Sequence, residues 1–394
     1  DVYDEETEAA LEESDGDTEY AALPEQHRFD IPEGCHWQDV RERNENLGAA
    51  IVGAMRKIEL ANPDTLYGVL SMFSAQKWTD KKNLSDGKIR DLIEHLSTRK
   101  LGNKNYPADL MGDAYEILLK KFADDSKAQA GEFYTPRSVV NLLVRILDPQ
   151  PGETVYDPAC GSGGMLIEAI QHMNHSSLCC GTIFGQEKNV VNSAIAKMNL
   201  FLHGASDFNI MQGDTLRSPK ILQNGEIAKF DCVIANPPFS LEKWGSVEWA
   251  SDKYGRNVWG TPSDSCGDYA WIQHMVKSMA PGNGRMAVVM PQGVLFRGNE
   301  EGRIREKLVK SDLIEAIITL GDRLFYGTPL SPCLIIIRRL KPATHSARVL
   351  MIDGTKILTT KRAQNILSPE DVDRLYELYC KYEDIEDFSK VVTI

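Results

Sequence analysis

Apolar positions along the chain follow two different rhythms. Between residues 37 and 122 they recur at three- and four-residue spacing, over 40–55, 66–73, 88–96 and 110–122, the period of helices with one buried face. Asp64-Thr65 and Ser85-Asp86 supply helix-starting side chains in this region. From residue 154 onward, short apolar or β-branched runs alternate with helical stretches, which predicts an α/β sheet. Strands are expected at 154–156, 178–186, 208–211, 232–234, 285–290, 313–320 and 333–338, with a further short one at 349–352. Helices are expected at 139–147, 165–173, 189–202, 268–279 and 371–382. Residues 241–267 are polar, carry Trp244, Trp249 and Trp259, and read as a long loop of the functional or mobile kind. Residues 1–19 hold ten acidic side chains, and no Lys or Arg precedes Arg28, so a solvated tail is expected there.

The chemistry gathers where the predicted strands end. The run at 232–234 stops at Asn236-Pro237-Pro238-Phe239. Two consecutive prolines fix φ and have no N–H to give, so the backbone beyond Asn236 is rigid and extended. A carboxamide oxygen, a backbone carbonyl and an aromatic face at the carboxyl end of a strand suit a flat base bearing an exocyclic amine. The same tetrapeptide also serves as a plain strand-ending turn. Its neighbours decide for function. The strand at 154–156 runs into Asp157 and a tight glycine turn, Gly161-Ser162-Gly163-Gly164, where the backbone can approach a ligand and a carboxylate can take an ammonium group. Glu187 closes the second strand, 23 residues beyond Gly164, at a distance suited to a ribose diol. The third strand ends at Gln212-Gly213-Asp214-Thr215, with a carboxylate able to accept from an adenine amino group. Ahead of the sheet, Glu132-Phe133-Tyr134-Thr135-Pro136-Arg137 restarts a helix with proline in its first turn. That edge either binds a carboxylate or simply caps the helix.

Composition narrows the classes. With 394 residues, 42% of them hydrophobic, the chain can fill more than one domain, and no apolar run is long enough for a membrane span. The acidic N-terminus lacks a signal-peptide pattern, and eight scattered cysteines read as reduced thiols of a cytoplasmic protein. His172, His175, Cys179 and Cys180 lack the spacing of a zinc site, and no metal is expected. The net charge of −13 is awkward for a lone DNA-binding enzyme, because phosphate contacts need Lys and Arg. Either the substrate is not nucleic acid or another subunit supplies the basic surface.

In that order, Phe133-Tyr134-Thr135-Pro136, Asp157-Pro158-Ala159-Cys160-Gly161-Ser162-Gly163-Gly164, Glu187, Gly213-Asp214-Thr215-Leu216 and Asn236-Pro237-Pro238-Phe239 resemble the gamma group of adenine-N6 DNA methyltransferases. With a helical region ahead of Gly131-Glu132-Phe133, the chain is more closely similar to the modification subunit of type I restriction–modification systems, over roughly residues 37–394. The resemblance implies a class I, Rossmann-like S-adenosylmethionine-dependent methyltransferase sheet of seven main strands. The last strand is antiparallel and inserted between the previous two, and an all-helical domain precedes the sheet. The domains expected are an acidic lead (1–36), a helical domain (37–127), the catalytic domain (128–345) and a strand-helix extension (346–394) that looks truncated. By the same resemblance, Phe133, Tyr134 and Thr135 hold the methionine end of S-adenosylmethionine, with Asp157 and the Gly161–Gly164 turn beside it. Glu187 binds its ribose and Asp214 its adenine, and Glu132, Pro136, Arg137 and Thr215 complete the cofactor site. Asn236 and the Pro237 carbonyl accept from the amine of a flipped adenine on which Phe239 stacks, and Pro238 stiffens the turn. The partners implied are double-stranded DNA, a specificity subunit, a second modification subunit and a restriction subunit. Two other readings stand beside this one: methylation of a glutamine amide in a protein, and a cofactor-binding scaffold without catalysis.

Overall fold

The computed structural model describes residues 1–71, 78–106, 110–112, 114–115, 117–118, 135–174, 181–205, 207–325, 330–361 and 364–394. The expected helix at 110–122, the start of the expected strand at 178–186, and Glu132, Phe133, Tyr134, His175, Cys179 and Cys180 lie wholly or partly outside these residues. The chain forms two compact units, Asp1–Leu118 with Lys197–Gly204, and Leu119–Ala196 with Ala205–Ile394.

The first unit is helical among its described residues. Its acidic lead is not a loop: Val2–Glu13 is a helix, α1. The acids that made it look unfoldable have tertiary partners. Asp1 accepts from Leu101 N–H at 2.8 Å, Glu5 from Lys104 N–H at 3.1 Å, Glu6 from Arg28 N–H at 3.1 Å, and Glu8 pairs with the Lys104 ammonium at 2.8 Å. The apolar stretch expected at 40–55 divides into a short turn of helix at Trp37–Arg41 and the longer α2, Leu47–Ala61. Ser85 caps α3, Asp86–Leu96, while the neighbouring Asp86 side chain accepts from the N–H groups of Asn46 and Leu47 at the start of α2. Cys35, Val40, Leu47, Ala54, Ile89 and Ile93 form the core of this unit. At Gly48 a Cβ would sit 1.9 Å from the Trp78 carbonyl oxygen, so only glycine allows the approach.

The second unit is built on one sheet. After α4 (Arg137–Leu147), its main elements are β1 (Val155–Asp157), α5 (Gly164–Asn174), β2 (Ile183–Glu187), the start of α6 (Val190–Leu202, whose end from Lys197 belongs to the first unit), β3 (Phe208–Gln212), β4 (Cys232–Ala235), α7 (Asp268–Ser278), β5 (Arg285–Pro291), α8 (Asn299–Lys310), β6 (Ile314–Leu320), β7 (Pro332–Arg338), β8 (Arg348–Gly354), α9 (Pro369–Lys381) and β9 (Ser389–Thr393). The spatial order is β9-β8-β6-β7-β5-β4-β1-β2-β3. Strands β1 to β5 pair in parallel, and β7 inserts antiparallel between β5 and β6. The seven expected strands therefore form the body of the sheet, and β8 and β9 extend one edge. Every residue of β4 and β5 is buried, as expected of central parallel strands covered on both faces. Among the described residues no helix is long and apolar enough to cross a membrane.

Candidate active site

Strand β1 lies between β2 and β4, so the strand order reverses at the β1–β4 pair. Ligands of open α/β sheets bind in the crevice outside the carboxyl ends of the strands at such a switch point. Asp157 ends β1 and Asn236 directly follows β4, which puts both at that crevice, with Glu187 at the end of the neighbouring β2.

Asn236 is held in one orientation. Its amide Nδ2 donates to the Thr135 hydroxyl at 2.9 Å, across 101 positions of sequence. Its Oδ1 is buried and has no partner among the described residues. A buried amide oxygen left without a donor costs about 1–3 kcal/mol, so an unpaired one at a crevice marks a waiting acceptor. Pro237 is buried, Pro238 exposed and Phe239 half-buried, its ring 6.4 Å from that of Phe325.

On the other side of the switch point, Asp157 is buried, and its Oδ1 accepts from Ala159 N–H at 2.9 Å. Burial pushes its carboxyl up to about 8; the Ala159 hydrogen bond opposes this and the charge of Glu187 adds to it. A cation arriving beside it would oppose that shift by favouring the charged form. Glu187 accepts from Gly161 N–H at 3.0 Å and from Asn189 N–H at 2.7 Å, which orients the carboxylate beside the glycine turn. Gly161 has φ +54°, and a Cβ there would meet nothing within 4 Å among the described residues. Gly163, at φ +84°, instead packs close to Ala196. Ser162 and Gly164 complete the turn, and Gly164 begins α5. Asp214 forms an ion pair with Lys188 at 2.9 Å. Thr215 is buried, and its hydroxyl donates to the Pro158 carbonyl at 2.6 Å, so it braces the Asp157-Pro158 turn. Pro136 caps α4 and Arg137 opens it.

Three supporting groups were not foreseen from the sequence. Arg256 is buried with Asp252, its guanidinium 4.4 Å from the Trp249 ring, and it donates to the carbonyls of Thr215 and Leu216 at 3.0 and 2.9 Å. Arg256 also donates to His274 Nδ1 at 3.3 Å, which leaves His274 Nε2–H to bond Tyr156 Oη at 3.1 Å, one residue before Asp157. Burial, with the charge of Arg256, holds His274 well below its ordinary value, so it is neutral here. The third group is Asp268, whose carboxylate accepts from Ser240 N–H at 2.7 Å. Residues 241–267, expected as a functional or mobile loop, are pinned from inside: Trp244 and Trp249 are buried edge to face at 5.5 Å, and Trp244 Nε1 donates to the Ser263 carbonyl at 2.8 Å. The indole and arginine side chains were the available signal, since a solvated loop has little use for three tryptophans. Cys160 and Cys232 are buried, and burial pushes the Cys232 thiol up to about 12, so both pack rather than react.

The sheet order with its inserted antiparallel strand and the polar strand ends define a class I S-adenosylmethionine-dependent methyltransferase fold. Residues 107–394 match the family described as N-6 DNA Methylase, and residues 1–96 match the HsdM N-terminal domain; the chain belongs to the N-6 DNA methylase family. It is 36% identical over 297 residues to the type I restriction enzyme MjaVII methylase subunit of Methanocaldococcus jannaschii, covering 73% of this chain and 50% of that protein. To the EcoKI methylase subunit of Escherichia coli it is 30% identical over 319 residues, 75% of this chain and 56% of that one. The crystal structure of a type I restriction-modification methyltransferase subunit from Streptococcus thermophilus superimposes with a TM-score of 0.79 at 26% identity, covering 98% of this chain and 82% of that chain. The chain spans 50%, 62% and 66% of the lengths of three Methanocaldococcus jannaschii methylase subunits it matches.

Proposed function

We propose that the chain transfers a methyl group from S-adenosylmethionine to the N6 amine of adenine in DNA, as the modification subunit of a type I restriction–modification complex. The observation that carries this reading is the Asn236 carboxamide, anchored through Nδ2 with its buried Oδ1 open.

The residues fit the cofactor. Asp157, a buried carboxyl held near neutrality by lack of solvent, suits the ammonium of the methionine end, and Glu187 is oriented for a ribose diol. Among the described residues nothing crowds Gly161, which leaves room for a ligand against the turn. Asp214 is the acceptor for the adenine amino group once it leaves Lys188. On this reading Thr135, Ser162, Pro136 and Arg137 would serve the methionine end, together with Glu132, Phe133 and Tyr134, which lie outside the described residues. S-adenosylmethionine supplies an electrophilic methyl on sulfonium sulfur. The remaining work belongs to the chain. The target amine is a poor nucleophile because its lone pair is delocalised into the ring. Asn236 Oδ1 and the Pro237 carbonyl accept hydrogen bonds from its two N–H groups, draw it toward tetrahedral geometry and localise that pair, and the one proton shed once the nitrogen is methylated passes to solvent. Phe239 stacks on the base, and the Pro237-Pro238 pair keeps both acceptors from turning away. Catalysis is positioning and electrostatics, with no covalent enzyme intermediate. The net charge of −13 fits a subunit whose phosphate contacts are largely made by a separate specificity subunit.

The test is transfer of tritiated methyl from S-adenosylmethionine to mixed-sequence DNA, followed by nucleoside analysis, with and without the co-expressed specificity subunit. Label recovered as N6-methyladenine only with the partner supports the full proposal. Label without it means the chain reads DNA itself. Cofactor binding with no label on DNA in either case overturns the DNA substrate, in favour of a glutamine amide in protein or a silent scaffold.

A further inference from the structure

The residue after Phe239 is under unusual control. Ser240 adopts φ +50°, the left-handed region that a non-glycine residue enters at a cost, and its N–H is held by Asp268 Oδ1 at 2.7 Å. Asp268 is 0% exposed and opens α7. Its second oxygen takes a bond from the Arg297 guanidinium, and Cys266 Sγ lies 3.3 Å away. Arg297 reaches through Nε to Glu301 in the first turn of α8. Cys266, Asp268 and Glu301 present their polar atoms within 4.8 Å of one another, a spacing that could hold a cation. The guanidinium already bridges both carboxylates, so the positive charge there belongs to the chain itself.

Arg297 is in turn locked at its own backbone. Its N–H donates to the Gly293 carbonyl at 2.9 Å, and Arg305 donates to the Arg297 carbonyl at 2.8 Å. A Cβ at Gly293 would sit 2.6 Å from Arg297 Nη1. Burial works against the Arg297 charge, and Glu301 with Asp268 more than offsets it. A buried pair of carboxylates bridged by one arginine is a poor way to gain stability, since well-packed apolar side chains do as well or better. It is a good way to fix one direction. Here the direction fixed is that of a single N–H, one residue beyond the aromatic of the Asn236-Pro237-Pro238-Phe239 turn.

We infer that Asp268 is a positioning residue for the target base: backed by Arg297 and Glu301, it holds Ser240 in the left-handed conformation and so sets the angle of Phe239 against the acceptors at Asn236 and Pro237. The inference rests on the reading of that turn as the base clamp. The two prolines stiffen the turn from the Asn236 side, and Asp268 stiffens it from the other.

The experiment uses the full-length protein with its specificity subunit, in single-turnover methyl transfer to cognate DNA, alongside S-adenosylmethionine binding and the fluorescence of 2-aminopurine at the target position. Asp268→Ala frees Ser240, and a misplacement of about 1 Å costs about 10²-fold in rate. The expected result is that loss with cofactor affinity unchanged and an altered 2-aminopurine signal, since the base leaves the duplex but is not clamped. Asp268→Asn retains an acceptor for Ser240 but loses the charge facing Arg297, and should recover most of the rate, to within about tenfold of the parent. An Asp268→Ala protein with parental rate and parental 2-aminopurine signal overturns the inference. If Asp268→Ala does not fold, Ser240→Pro decides, because at this exposed residue it removes both the N–H and the left-handed φ while leaving the buried carboxylates paired: parental rate and fluorescence overturn the inference, and a reduced rate at unchanged cofactor affinity supports it. A parent complex that binds cofactor but labels no DNA overturns the clamp reading itself, and the inference with it.

Discussion

Asn236→Ala is the sharpest perturbation, because the side chain does little for the resting fold and, on the proposed mechanism, much for the reaction. In the parent, among the described residues, Nδ2 donates to Thr135 at 2.9 Å, while Oδ1 is buried without a partner. Truncation loses the Thr135 bond, worth about 1 kcal/mol, and removes an orphaned acceptor whose burial costs about 1–3 kcal/mol. The two nearly cancel, so the melting temperature should stay close to the parent's or rise slightly. On the proposed mechanism the transition state, in contrast, loses a preorganised group aimed at the reacting amine. Such a loss typically lowers kcat about 10²- to 10³-fold, or ~2.7–4 kcal/mol. The assay is single-turnover transfer of labelled methyl to cognate DNA, with S-adenosylmethionine binding and thermal melting on the same preparations. Thr135→Val is the companion variant. It keeps both acceptors of the clamp but unpins the amide, and should cost several-fold in rate for about 1 kcal/mol of lost anchoring. Parental transfer by Asn236→Ala would refute the reasoning. So would a loss matched by an equal loss of cofactor affinity, since the residue would then act on the fold or the cofactor site.

Asp157, raised to about 8 by burial, is protonated in the resting protein at pH 7, and binding a cation there should expel about one proton, visible by calorimetry in buffers of different ionisation enthalpy. Because its folded value is raised, its contribution to stability is fully present below the ordinary carboxyl range and is lost as pH rises through about 8; Asp157→Asn should remove that loss and the linked proton release. Gly185→Ala places a methyl 2.6 Å from Ile210 Cδ1 and 3.0 Å from Cys160 Sγ, and should lower stability by about 1–3 kcal/mol in urea melts. Gly161→Ala meets no described residue within 4 Å, so it should cost about 1 kcal/mol for its positive φ and, on the proposed cofactor site, act mainly by weakening cofactor binding in equilibrium dialysis. Arg256→Ala leaves Asp252 buried and unpaired, and should destabilise the second unit by about 3–5 kcal/mol, read from the denaturant midpoint.

Much of the site was legible because it is local. An apolar run that stops at a polar residue marks the carboxyl end of a strand, and in a parallel sheet those ends share one edge. Asp157, Glu187, Asp214 and Asn236 could therefore be put at one crevice from strand prediction alone, and the structure ends β1 and β2 at the first two and sets the last directly after β4. The glycine turn was equally plain, since its positive φ angles leave a direct trace in composition. The inserted antiparallel strand was not local information: nothing in the apolar run of β7 distinguishes it from a parallel strand, and only the resemblance to known methyltransferases predicted its place.

What the sequence by itself determined, then, is the alternation of elements, the side chains at the strand ends and the stiffness of the Asn236-Pro237-Pro238 turn. Each depends on neighbours a few residues away. The tertiary structure decided which polar atoms are satisfied and which are left open. The acidic lead folds as α1 because Lys104, Leu101 and Arg28 take up its charges, partners that no window of the sequence contains. Thr215 faces the Pro158 carbonyl, and Thr135 pins Asn236 from 101 residues away. Ser240 answers to Asp268 and Arg297. Hydrogen bonds and ion pairs act over about 3 Å of space whatever the separation along the chain, so only the folded chain decides which acceptor is left free to work.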